Sequence, residues 1–109
     1  MESKTPKEFF EKDLPTRFKP EKAVGIDVVT QLDITDSEGS NWFVVVKDQK
    51  LQINQGTHPD PNLTLKMKES DFMELANGKL SAEKAFFLGK IQFKGNISVA
   101  LKLRETGFL

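Results

Sequence analysis

The stretch Lys79–Asn96, KLSAEKAFFLGKIQFKGN, constrains the fold of this chain more than any other. A short helical pattern ends there in an unbroken apolar run, Ala85-Phe86-Phe87-Leu88. A helix that packs on one neighbour needs apolar residues only at i, i+3 and i+4, so a continuous run covers every side of its last turn. That turn is expected either to be walled in by protein or to line something greasy. Gly89 permits a sharp exit. Ile91 and Phe93 then alternate with Gln92 and Lys94 as a short strand, and Gly95-Asn96 opens a further helix.

Upstream, Thr5-Pro6-Lys7-Glu8 is a helix start, with Thr5 as N-cap, Pro6 at the first helical position and Glu8 completing a capping box. Phe10 and Leu14 give this helix an apolar edge, and Pro15 disfavours helix at Leu14. Arg17 to Ala23 is expected to be a loop or a single turn. From Val24 the period changes to two. Val24, Ile26, Val28, Leu32 and Ile34 share one face, interrupted by Thr30, which predicts a long half-buried strand. Asp36-Ser37-Glu38-Gly39 is a turn. Trp42, Val44 and Val46 form a second strand, Leu51 and Ile53 a third, and Leu63, Leu65 and Met67 a fourth. Ser70 is expected to cap a helix bearing Phe72, Met73, Leu75 and Ala76, and Ser81 to cap the next. Asn96 caps a final helix with Ile97, Val99, Ala100, Leu101 and Leu103. Strands first and helices after argue for an α+β fold, one mostly antiparallel sheet with helices on one face.

The length of 109 residues suits one domain, residues 1–109. Lys plus Arg and Asp plus Glu both number 16, so no net field draws the chain to nucleic acid or to an anionic membrane. No apolar run approaches the ~20 residues of a membrane span, and nothing reads as a secretory signal. The lack of cysteine rules out disulfides and suits a cytoplasmic location. Nine Phe and one Trp, with no Tyr, would give any cavity aromatic walls without phenol groups.

The residues that carry chemistry are sparse. His58, the one histidine, lies between Thr57 and Pro59 and reads as a solvated loop residue with no partner. The glycines follow no phosphate-binding pattern. Asp71 and Glu74 are paired carboxylates at i, i+3, but near a helix start such pairs more often favour the helix dipole. Neither an enzyme nor a cofactor or metal site is expected.

Ser70-Asp71-Phe72, Gly78-Lys79-Leu80, Ala85-Phe86-Phe87, Gly89-Lys90 and Phe93-Lys94-Gly95-Asn96 resemble the sterol carrier protein type 2 family. Gln31-Leu32-Asp33-Ile34-Thr35, Trp42 and Asp60-Pro61 extend the resemblance over nearly the whole chain. It implies a five-stranded mixed sheet, helices over one face, and a hydrophobic tunnel between them that holds a fatty acid, an acyl-CoA or a sterol-like lipid. Mapped on this chain, the expected wall is Phe72, Met73 and Ala76 from one helix and Phe86, Phe87 and Leu88 from the next. Ile91 and Phe93 come from the last strand, Val99 and Leu103 from the last helix, and Trp42, Val44 and Met67 from the sheet floor. The peroxisomal targeting tail of many animal members is absent, and the last helix is short. The implied function is non-enzymatic lipid binding, with or without transfer. The alternative is an accessory domain whose apolar groove binds a partner protein or supports a lipid-modifying enzyme.

Overall fold

The computed structural model describes residues 5–36 and 41–107. Five strands form one mixed sheet in the order β3-β2-β1-β4-β5: β1 (Val28–Ile34), β2 (Asn41–Lys47), β3 (Lys50–Gln55), β4 (Leu63–Met67) and β5 (Ile91–Gly95). β1 pairs antiparallel with β2 and parallel with β4, and the two outer pairings are antiparallel. The period-two pattern decides which face is apolar. The register aligns Trp42, Leu32, Leu65 and Phe93 in one row, and Ile53, Val44, Thr30, Leu63 and Gly95 in the next. These rows form the face that the helices cover.

The N-terminal helical segment runs as α1 (Pro6–Glu8), a π-turn (Phe9–Asp13) and α2 (Leu14–Arg17). Thr5 caps it as expected, its Oγ1 accepting from the Glu8 amide at 3.1 Å. The expected break at Leu14 does not occur, because Leu14 keeps helical dihedrals and its amide donates to the Phe9 carbonyl one residue beyond the α-helical partner. That wider turn makes room before Pro15, whose ring would crowd a regular α-turn. The first strand starts at Val28 rather than Val24. Gly25 adopts φ +77°, and Val24 projects into solvent at 69% exposure, so the alternation before Val28 belongs to a turn. Of the predicted 36–39 turn, residues 37–39 lie outside the described residues.

Two helices follow β4: α3 (Glu69–Ala76) and α4 (Ala82–Phe87). Ser70 is not the cap of α3. The cap position is Lys68, and the Glu69 amide donates instead to Asp36 Oδ1 at 2.7 Å, a partner 33 residues away at the end of β1. Ser81 does cap α4, and Asn96 caps α5 (Ile97–Glu105), each through its side-chain oxygen. Ala85 is fully buried, whereas Phe86, Phe87 and Leu88 are 51%, 88% and 54% exposed. Protein therefore does not wall in the last turn of α4.

The core is built on rings. Phe10 stacks on Trp42 at 4.9 Å and on Phe72 at 5.4 Å, and Phe9 meets both Phe10 and Phe72 edge-on. Arg17 reinforces this end: its guanidinium lies 5.6 Å from the Phe9 ring centre and donates to the Ala76 carbonyl at the end of α3. The opposite, polar face of the sheet carries the loop from β3 to β4. Gln31, 2% exposed, clasps this loop, its Oε1 accepting from the His58 amide and its Nε2 donating to the Gly56 carbonyl and to Asp33.

The end of α5 is locked to the end of α2. The Lys19 amide donates to the Thr106 carbonyl at 2.7 Å, and Gly107 turns away at φ +100°. A Cβ on Gly107 would stand 2.3 Å from the Arg17 carbonyl oxygen. Gly107→Ala is therefore expected to destabilise the protein by about 1–3 kcal/mol in urea unfolding, combining steric conflict with left-handed backbone strain.

Candidate functional site: an apolar hollow under α4 and α5

The aromatic cluster packs helices against the sheet on the β2 side. Over β4 and β5 the side chains leave a hollow of about 260 Å³. Its floor is Thr30 of β1, Leu63, Leu65 and Met67 of β4, and Ile91 and Phe93 of β5. Ala82, Glu83, Phe86 and Phe87 of α4 and Ile97, Ala100, Leu101, Leu103 and Arg104 of α5 form its roof, and Leu75 of α3 adds to the wall. The helical spacing explains the roof. Residues 97, 100, 101 and 104 fall at i, i+3, i+4 and i+7, and residues 82, 83, 86 and 87 make two i, i+4 pairs, so each set shares a face. The alanines at 82 and 100 keep the space open, while Phe86 packs edge-on against Phe93 at 6.3 Å.

The hollow opens to the surface. Phe86, Phe87, Ile97 and Leu101 border it and remain at least half exposed. An ion pair between Glu83 of α4 and Arg104 of α5 crosses the roof. At the floor, Thr30 is 1% exposed, and its Oγ1 is a buried side-chain polar atom with no hydrogen-bond partner.

Six of the expected wall residues meet here: Met67, Phe86, Phe87, Ile91, Phe93 and Leu103. The other seven lie elsewhere. Trp42 and Phe72 are stacked in the aromatic cluster, and Val44 and Ala76 are buried in the core. Met73 and Val99 pack against that core, and Leu88 caps α4 at the surface. Trp42 also borders a second depression of about 700 Å³ whose rim carries Lys7, Glu11 and Gln55, so its lining is polar as well as apolar. Sequence reasoning missed Leu63, Leu65, Leu75, Ala82, Ile97, Ala100 and Leu101, although the spacing of 97, 100, 101 and 104 marks one helix face.

The polar candidates sit away from the hollow. His58 is half-buried, not solvated: its Nδ1 accepts from the Asp60 amide at 3.0 Å and its ring meets Phe43 edge-on. Asp71 pairs with Lys90 at 3.6 Å. Among the described residues, no group of three or more His, Cys, Asp or Glu side chains could hold a metal ion, and no helix is long and apolar enough to cross a membrane.

Comparison with known proteins agrees with this architecture. Residues 10–106 match the SCP-2 sterol transfer family. Hydroxysteroid dehydrogenase-like protein 2 of Mus musculus is 32% identical over 78 residues, which cover 71% of this chain but 16% of that protein. The chain thus spans about a sixth of the length of that relative. Non-specific lipid-transfer protein-like 1 of Caenorhabditis elegans is 30% identical over 83 residues, covering 76% of this chain and 70% of the relative. Among solved structures, the sec-alkylsulfatase Pisa1 from Pseudomonas sp. shares the fold with a TM-score of 0.82 at 22% identity, over 96% of this chain and 16% of that one. The solution structure of palmitated sterol carrier protein 2 like 2 from Aedes aegypti superposes with a TM-score of 0.64 at 25% identity, over 87% of this chain and 91% of that one.

The Glu83–Arg104 pair is largely solvent-exposed, the Glu83 side chain at 70%. A double-mutant cycle with Glu83→Gln and Arg104→Gln should give a coupling below about 1 kcal/mol that shrinks further with salt. The sheet order, the covered face and the family match over residues 10–106 together make this chain a member of the SCP-2 sterol transfer family.

Proposed function

We propose that this chain acts as one non-enzymatic lipid-binding unit and takes the alkyl part of a fatty acid, an acyl-CoA or another lipid into the hollow under α4 and α5. The observation that carries the reading is an apolar space, floored by β4 and β5, that the protein's own side chains leave unfilled. At the ~30 Å³ of a liquid water molecule per methylene, 260 Å³ takes about nine methylenes. Burial at about 0.8 kcal/mol each supplies about 7 kcal/mol before the cost of association. Because the hollow opens to the surface, the rest of a longer lipid would extend past the exposed ring of Phe87.

The lack of cysteine fits work in the cytoplasm. Both a lipid-transfer protein and a much longer dehydrogenase-like protein are related to this chain. Transfer to an acceptor membrane and supply to an enzyme are therefore the two uses to which bound lipid would be put.

Solvent extraction of the purified protein followed by mass spectrometry is expected to release a single-chain lipid at up to one per chain. Ala100→Phe, which places a ring in the roof, should cut uptake of a fluorescent fatty acid at least about tenfold while thermal stability holds or rises. Undiminished uptake by that variant, with no lipid released from the native protein, would contradict the reading. In that case a stable complex with another protein, seated on the apolar rim, becomes the better account.

A further inference from the structure

Thr30 and Gln31 are adjacent residues of β1, buried on opposite faces of the sheet. Gln31 has partners for both ends of its amide. Thr30 has none for its hydroxyl, although the residue is 1% exposed. The register explains why. On the covered face Thr30 lies between Val44 of β2 and Leu63 of β4, and the next residues of β1 on that face are Val28 and Leu32. All four side chains are hydrocarbon, so none of them offers this hydroxyl a donor or an acceptor. Thr30 is also one of the residues that line the hollow. A buried hydroxyl without a partner is costly, and a valine of the same shape would avoid that cost.

We propose that Thr30 is the ligand-selecting polar group of the hollow: its hydroxyl bonds to an uncharged oxygen, a hydroxyl or a carbonyl, that the bound lipid carries inside. The proposal rests on the lipid-binding reading above and narrows it to a class of ligand. A hydroxyl both donates and accepts, so an alcohol or a carbonyl oxygen completes it equally well. An ionised carboxylate does not belong at this depth, because one neutral hydroxyl cannot replace the water that a buried charge loses. A charged end therefore stays at the rim, where Arg104 and solvent are available. The interior rewards a lipid that has an oxygen on the part of the molecule that enters.

Headspace partitioning of decane and decanol over solutions of the native protein, Thr30→Val and Thr30→Ser tests this. Uptake of decane by the native protein tests the hollow itself; if neither compound is taken up, the lipid-binding reading and this proposal fall together. With the hollow in place, Thr30→Val is expected to weaken decanol binding about three- to tenfold, the range for loss of one neutral hydrogen bond, and to leave decane within about twofold. Thr30→Ser, which keeps the hydroxyl, should retain decanol near the native level. Equal weakening of both compounds by Thr30→Val, or no change in decanol, would overturn the proposal while leaving the lipid-binding reading intact. The ligand-free Thr30→Val protein should also unfold at or above the native midpoint. A lower midpoint would mean that the hydroxyl has a partner within the protein, and would equally overturn the proposal.

Discussion

The stacked rings of Phe10, Trp42 and Phe72 are the contact on which the rest of the interior is arranged. They bring the N-terminal helical segment, the sheet and α3 together, and Phe9 and Arg17 close the same corner from outside. With that much aromatic volume over β1 and β2, Phe9, Phe10 and Phe72 are fully buried there, beside the open depression that Trp42 borders. Over β4 and β5 the roof is made by α4 and α5, whose facing residues include Ala82 and Ala100. Small residues facing a floor of Leu63, Leu65 and Phe93 cannot fill the gap. The lock between Lys19 and Thr106, with Gly107 beside Arg17, fixes the far end of α5. The roof is thereby anchored at the C-terminal end of α5, while Ile97 and Leu101 nearer its start remain half exposed.

The two faces of the sheet are closed in different ways. The polar face is closed by hydrogen bonds: Gln31 holds the crossing loop, and His58 is committed to Asp60 and Phe43. The apolar face has few polar groups near its hollow, and one of these, the hydroxyl of Thr30, is unsatisfied. Buried polar groups are normally paired, so this exception beside an apolar space is the basis of the proposal made for Thr30.

Much of the architecture was legible in the sequence, because the signals that set it are local. The alternation in β1, β2 and β4 fixed the covered face, and Thr5, Ser81 and Asn96 announced their helices through short-range caps. The misread start of α3 depends on residues far apart in the chain. Nothing near Glu69 reveals that Asp36 supplies its hydrogen bond. Nothing near Pro15 reveals that the preceding turn widens to accommodate it. The division of apolar residues between core and hollow was legible only in part. Phe72 and Leu75 lie on the same helix, yet one is stacked among rings and the other borders the hollow. Amphipathic spacing tells which face of a helix is inward; it does not tell whether the space beyond is filled by a ring from another element. On α5 the stripe of Val99 and Leu103 and the stripe of Ile97, Ala100, Leu101 and Arg104 compete for that inward role, and α5 uses both.

The most direct test is a crystal of lipid-free protein pressurised with xenon, which occupies apolar cavities that water leaves dry. The account predicts xenon density between Leu65 and Phe93 of the sheet and Ala82 and Ala100 of the helices, and none among the rings of Phe10, Trp42 and Phe72. Side chains of α4 and α5 packed down on β4 and β5, with no xenon between them, would contradict it.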